Sequence, residues 1–183
     1  MKKILIASIL FGLITGFYPR QKLNWIPIEQ LEEKLAQEKR KVFFDIYTDW
    51  CGVCKRMDRN TFQNKTIVKH LNENYYAVKI NAEQKEDILF NGTNFKYVEK
   101  GRSGVHEFAL YITNNNLLGY PSIAFMDENK ERLTSITAYL TPVDIEPILH
   151  FFSENKYKLD LNSDKKIDQS DYNLYINEFK SSF

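Results

Sequence analysis

Val42-Phe43-Phe44-Asp45-Ile46-Tyr47, then Thr48-Asp49-Trp50, then Cys51-Gly52-Val53-Cys54-Lys55, is the stretch from which the rest of the chain can be ordered. Its first six residues are apolar, β-branched or aromatic except for one acid, the pattern of a strand buried on both faces. From Cys51 to about Phe62 the pattern turns helical, so the cysteines fall where a buried strand ends and a helix begins. Unpaired N–H groups and the dipole at a helix start favour a thiolate, which makes Cys51 the nucleophile. Cys54, one turn further in, is expected to lie deeper and to attack a mixed disulfide at Cys51 once its own proton has left. Asp45 offers an acceptor for that proton, because a carboxyl held inside an apolar strand has a raised pKa. An acid turned to solvent at a strand edge is the alternative for Asp45. Two other readings of the cysteine pair stay open, half of a zinc site and a purely structural disulfide. Zinc needs about four ligands, and the chain has no second cysteine pair, while His70, His106 and His150 lack ligand spacing. A bridge closing so short a loop removes little entropy from the unfolded chain.

The 183 residues around this stretch suffice for one sizeable core with appendages. A hydrophobic share of 43% with 27% charged residues excludes a disordered chain and a polytopic membrane protein. Lys and Arg number 25 against 24 Asp and Glu, so no basic field exists to gather nucleic acid. At the front, Met1-Lys2-Lys3 precedes an apolar run from Ile4 to Phe17 broken only by small residues. That length suits an export signal over residues 1–16, with cleavage placed only approximately near Thr15-Gly16, and an uncleaved membrane anchor is the alternative.

Elsewhere the periodicity predicts an ordered series. A first amphipathic helix starts after Pro27 and runs to Arg40 with Ile28, Leu31 and Leu35 on one face. A helix around Ile67, Val68 and Leu71 leads into a strand, Tyr75 to Ile80, parallel to the first. Asn91-Gly92 marks a hairpin turn within Ile88 to Val98, and Gly104 to Thr113 reads as a helix. Pro121 to Met126 and Leu133 to Ala138 form an antiparallel pair around Asp127-Glu128-Asn129-Lys130. Thr141 caps a helix that has Pro142 at its first position and Ile145, Ile148, Leu149 and Phe152 inward.

Taken together, Phe44 to Lys55 resembles the active-site strand and turn of the thioredoxin superfamily, internal acid, Trp50 and trailing Lys55 included. The likeness is to exported bacterial thioredoxin-like proteins, with some similarity to the periplasmic C-terminal domain of the membrane thiol:disulfide interchange protein. It implies an α/β thioredoxin-like fold over residues 27–153, a central mixed sheet flanked by helices. It implies dithiol-disulfide exchange at Cys51 and Cys54 with Asp45 as proton acceptor and Lys55 tuning the thiol. No cofactor beyond the redox-active Cys51-Cys54 disulfide is implied. The partners would be exported proteins with thiols or disulfides and a redox partner protein, in or at the membrane, with the periplasm as the compartment. Family members carry a cis-proline facing the cysteines, which Gly119-Tyr120-Pro121-Ser122 fits, so Trp50, Tyr120 and Pro121 become substrate-binding candidates. The departures are Val53, where thioredoxin has proline, Tyr120, where it has a smaller residue, and an insertion over 83–118, read first as surface decoration and otherwise as a lid or partner surface.

Residues 154–183 form a tail with a weaker signal. Asp160, Asn162, Asp164, Asp168 and Asp171 stand at five oxygen-donor positions of a calcium loop. Lys165 occupies the position of the turn glycine, and Asp171 stands where a bidentate Glu is usual. The plainer reading is a polar connection into a helix, Asp171 to Phe179, capped by Ser170. The alternative to an oxidoreductase is accordingly a thioredoxin-fold binding or docking module, calcium-stabilised at the tail, without redox turnover.

Overall fold

The computed structural model of the chain describes residues 21–101, 103–117, 119–161, 163 and 168–183, so the export segment over 1–16 lies outside the described residues. After a 3-10 turn at Ile28–Gln30 come α1 (Leu31–Gln37), β1 (Lys41–Tyr47), α2 (Gly52–Asn60), α3 (Lys65–Asn74) and β2 (Tyr75–Asn81). Two hairpins follow, β3 (Ile88–Phe90) with β4 (Thr93–Phe95) and β5 (Tyr97–Lys100) with β6 (Ser103–His106), and then α4 (Glu107–Ile112). The chain finishes with β7 (Ser122–Met126), β8 (Arg132–Thr137), α5 (Pro142–Ser153) and α6 (Gln169–Glu178). The main sheet has the order β2-β1-β7-β8, with β1 parallel to β2 and the other pairs antiparallel. It is the mixed, helix-flanked sheet that the resemblance implies.

Alternation along β1 divides the core into two layers. Val42, Phe44 and Ile46 face α1 and α4, where Leu31, Leu35, Phe108 and Ile112 are buried. Phe43 faces the opposite way, with Met57 of α2, Ile67 and Leu71 of α3 and Ile145 and Leu149 of α5. Asp45 shares the parity of Phe43 and therefore faces the layer that holds α2. Burial of whole aromatic and aliphatic side chains is the main stabilising term on both sides, about 1.5–3 kcal/mol for each.

Three expectations are corrected. The helix expected from Gly104 begins only at Glu107, because Ser103 to His106 pair as β6 with β5. His106 fixes the boundary: its backbone N–H donates to the Ala82 carbonyl at 2.7 Å, while its Nδ1 accepts from Phe108 N–H at 3.1 Å. The first helix stops at Gln37 rather than Arg40, with Glu38 extended and the Arg40 guanidinium donating to the Asn72 carbonyl at the end of α3. The last helix is capped by Asp168 rather than Ser170, through a capping box in which Asp171 accepts from the Asp168 N–H at 2.9 Å.

The insertion is packed rather than loose. Asn91 and Gly92 take positive φ as a two-residue hairpin requires, and Phe90 and Phe95 meet Phe108 edge to face at 5.4 and 5.3 Å.

Candidate active site

The site is built where β1 ends. The Thr48 carbonyl accepts from Cys51 N–H at 3.1 Å, which closes a turn and sets Cys51 as N-cap of α2. Cys51 Sγ in turn accepts from Cys54 N–H at 3.1 Å, so one orphan donor of the helix start points at the sulfur. The two cysteines are joined as a disulfide with Cα atoms 5.3 Å apart. Both are 4% exposed, so Cys54 is no deeper than Cys51 in this oxidised form. The outer shoulder of the turn is taken by Gly52 and Val53 instead, with Val53 38% exposed.

Asp45 is buried. It stands opposite Lys79 in the β1–β2 register, and the Lys79 ammonium reaches its Oδ2 at 3.0 Å. The same ammonium pairs with Asp58 of α2 and lies 4.9 Å from the Tyr47 ring centroid and 5.1 Å from that of Trp25. Burial pushes the Asp45 carboxyl up to about 6, with Lys79 pulling against the rise and the charge of Asp58 adding to it. Burial works against the charge of Lys79, but the two carboxylates outweigh it and hold the ammonium above the usual lysine range. Lys79 and Asp58 were missed by sequence reasoning. The available signal was a lysine inside the otherwise apolar run Tyr75 to Ile80, whose meaning depended on the register that sets it against Asp45. Lys55, the residue expected to tune the thiol, is exposed on α2. A cavity of about 550 Å³ bounded by Trp25, Asp58, Phe62 and Lys79 opens beside the ammonium.

The remaining candidates gather at the same end of the sheet. Register pairs Ile46 with Ser122, so Pro121 enters β7 alongside the end of β1. The Tyr120–Pro121 peptide bond is cis, and Ser122 Oγ donates to the Gly119 carbonyl at 2.7 Å across the loop. Trp50 is 67% exposed, its indole N–H donates to Glu83 at 2.9 Å, and its ring meets that of Tyr120 edge to face at 5.9 Å. Of the tail candidates, Asn162 and Asp164 lie outside the described residues. Asp168 accepts from Ser170 N–H and Asp171 from Asp168 N–H, so both carboxylates serve the start of α6. Among the described residues no group of three or more His, Cys, Asp or Glu is arranged to hold a metal ion.

This arrangement, a cysteine pair at a helix start, a buried acid in the strand before it and a cis-proline loop entering the neighbouring strand, defines a class. Residues 28–153 match the thioredoxin-like domain family, and the chain belongs to it. The chain is 28% identical over 116 residues to the thiol:disulfide interchange protein DsbD of Actinobacillus pleuropneumoniae, and 30% identical over 117 residues to that of Haemophilus ducreyi. Each alignment covers 62% of this chain but only 16% and 17% of the relatives, so the chain spans a small part of their length. Among solved structures, a thioredoxin-fold protein from Helicobacter pylori superposes with a TM-score of 0.56 at 16% identity, covering 76% of this chain and 83% of that one. A thioredoxin from Thermus thermophilus gives 0.51 at 12% identity, covering 72% and 87%. These likenesses speak to the fold.

Proposed function

We propose that this protein is an exported thiol:disulfide oxidoreductase that exchanges disulfides with cysteine pairs of other exported proteins. The observation that carries the reading is the Cys51–Cys54 disulfide at the start of α2, in the layer that also holds the buried carboxyl of Asp45. In the reducing direction the Cys51 thiolate attacks one sulfur of a substrate disulfide, forming a mixed disulfide and releasing the other sulfur as a thiolate. Asp45 takes the proton of Cys54, and the Cys54 thiolate attacks Cys51 Sγ. The substrate leaves with both sulfurs reduced, and the protein retains the Cys51–Cys54 disulfide. Run backwards, the same steps oxidise a substrate dithiol. A redox partner protein resets the pair after each turnover. A carboxyl poised near 6 can both accept and return a proton near neutral pH, and the Asp58–Lys79 pair beside the open cavity gives that proton a way to solvent.

Trp50, Tyr120 and Pro121 would hold the substrate. The backbone of Tyr120, at the head of β7, would pair with an extended segment by strand addition. Export is supported by the apolar stretch after Lys2 and Lys3 and by the kinship with DsbD. Among the described residues no helix is long and apolar enough to cross a membrane.

The test is trapping. Cys54→Ser removes the resolving thiol, so adducts with exported thiol proteins should accumulate on non-reducing gels and vanish with reductant. Cys51→Ser should trap none and should lower turnover of a model disulfide peptide by about two orders of magnitude or more, as loss of an attacking nucleophile does. Adducts through Cys54 alone would reverse the two roles, and no turnover by the wild-type chain would remove the oxidoreductase reading.

A further inference from the structure

The β5–β6 hairpin does not hang free of the site. The Ala82 N–H donates to the Tyr47 carbonyl at 2.8 Å, and the His106 N–H donates to the Ala82 carbonyl at 2.7 Å. The ends of β1, β2 and β6 are therefore stitched side by side, one residue from the Glu83 that holds the Trp50 indole. His106 is fully buried, and since its Nδ1 accepts from Phe108 N–H, its Nε2 carries the proton and donates to the Glu86 carbonyl at 3.1 Å. The segment between Glu83 and Glu86 is fixed to the hairpin by that bond.

Tyr97 opens β5 opposite His106. Its ring lies across the hairpin onto Gly104, where a Cβ would collide with the ring and with the Val98 carbonyl. On the ring sits the ammonium of Lys85, 3.1 Å from the centroid. Tyr97 is thus held between a glycine that makes room for it and a cation that pins it. Lys85 stands two residues from Glu83, so the cation on Tyr97 and the carboxylate on the Trp50 indole belong to one short segment. Tyr120 already meets Trp50. Three aromatic side chains are therefore gathered at this end of the sheet, Trp50 and Tyr120 in ring contact and Tyr97 tied to them through the Glu83–Lys85 segment.

We propose that the β5–β6 hairpin is a second wall of the substrate groove, and that Tyr97 selects cysteines flanked by an aromatic or large apolar residue. The occupant is an extended polypeptide segment carrying the reacting cysteine. Its chemistry follows from the wall, since the edge of Tyr97 and the exposed ring of Trp50 gain from apolar and aromatic side chains and little from small polar ones. The proposal rests on the thiol:disulfide reading of Cys51 and Cys54, so the experiment separates binding from turnover.

Two redox-inert peptides with serine in place of cysteine, one with Phe and one with Gly at the flanking positions, are titrated into the oxidised full chain by calorimetry. The Phe peptide should bind about tenfold tighter, the scale of one well-packed aromatic contact. Tyr97→Ser should bring that ratio down at least threefold. Lys85→Gln, at an exposed position that does not threaten folding, should lower it by a smaller factor by releasing the ring. With the corresponding disulfide peptides, the Tyr97→Ser loss should fall on KM rather than kcat. Equal affinities for the two peptides overturn the proposal, as does a ratio untouched by both variants. Discrimination in binding without turnover of any disulfide supports the groove and removes the oxidoreductase reading. Turnover without discrimination does the opposite.

Discussion

Two influences meet on the carboxyl of Asp45. Burial favours its neutral form, the ammonium of Lys79 at 3.0 Å favours its charged form, and burial wins, leaving the group near 6. That value lies above the ordinary aspartate range of about 4 expected in the unfolded chain. The native state therefore binds the proton more tightly, and the contribution of this group to stability falls as pH rises from about 4 through about 6. Asp45→Asn, an imitation of the protonated acid, should be more stable than wild type at pH 7.5 by about 2–3 kcal/mol, with the difference gone near pH 4. Denaturant melts at both pH values check this. An equal or lower stability at pH 7.5 would mean that Lys79, not burial, dominates. The same substitution should slow resolution of the mixed disulfide near neutral pH and spare the first attack by Cys51, which rapid-quench kinetics would separate.

At the scale of elements, α5 shows how one segment takes its limits from local chemistry and its neighbours from packing. Thr141 Oγ1 accepts from Asp144 N–H at 3.4 Å, and Asp144 accepts from the Thr141 backbone N–H at 2.9 Å, a reciprocal cap reinforced by Pro142 at the first helical position. Thr141→Ala should cost about 1 kcal/mol in a denaturant melt and leave the m-value unchanged. Pro147 sits inside the same helix without ending it. The carbonyl it leaves without a donor belongs to Val143, at a position 53% exposed, where water can serve instead. Against α3, the His150 ring meets that of His70 at 4.0 Å between centroids. Burial first, and the charge of His150 second, hold the His70 imidazole down at about 4. This sign is opposite to that of Asp45: the unfolded chain takes up the proton first, so the His70 contribution to stability is lost as pH falls from about 6.5 toward 4. His70→Gln should gain stability relative to wild type as pH falls from 6.5 to 4, and a difference between the two that stays constant over that window would show that the imidazole makes no such contribution.

For the whole molecule, the tail and the domain are one packed body on the α5 side. Tyr172 and Tyr175 of α6 meet Phe151 at 5.2 and 5.3 Å, and the buried carboxylate of Glu146 accepts from the hydroxyl of Ser181 at 2.5 Å and from that of Ser182. Ending the chain at Lys158 would expose Phe151 and leave Glu146 without these donors. The truncated protein should lose about 2–4 kcal/mol, from the two aromatic contacts and the lost burial, and still turn over disulfide peptides, since the cysteines lie at the far end of β1. A melting temperature equal to that of the full chain would show that the tail contributes nothing to stability.

Along the chain, the sequence by itself determined what depends on neighbours in sequence. It set β1 with its single acid, the cysteine pair at a helix start, the turn at Asn91-Gly92, the cap at Thr141 and the two-layer amphipathic pattern. Each of these rests on spacing, on a side chain bonding backbone within a few residues, or on a glycine that admits positive φ. Tertiary structure alone decided the partner of Asp45, because Lys79 reaches it only through the β1–β2 register, not through any local pattern. It also turned Ser103 to His106 into a strand, because β5 and the Ala82 carbonyl were there to bond them. In the same way it set Glu83 on Trp50, 33 residues away, and Lys85 on Tyr97 above Gly104. Charges and rings have no periodicity of their own; what they meet is fixed only when distant backbones are laid side by side.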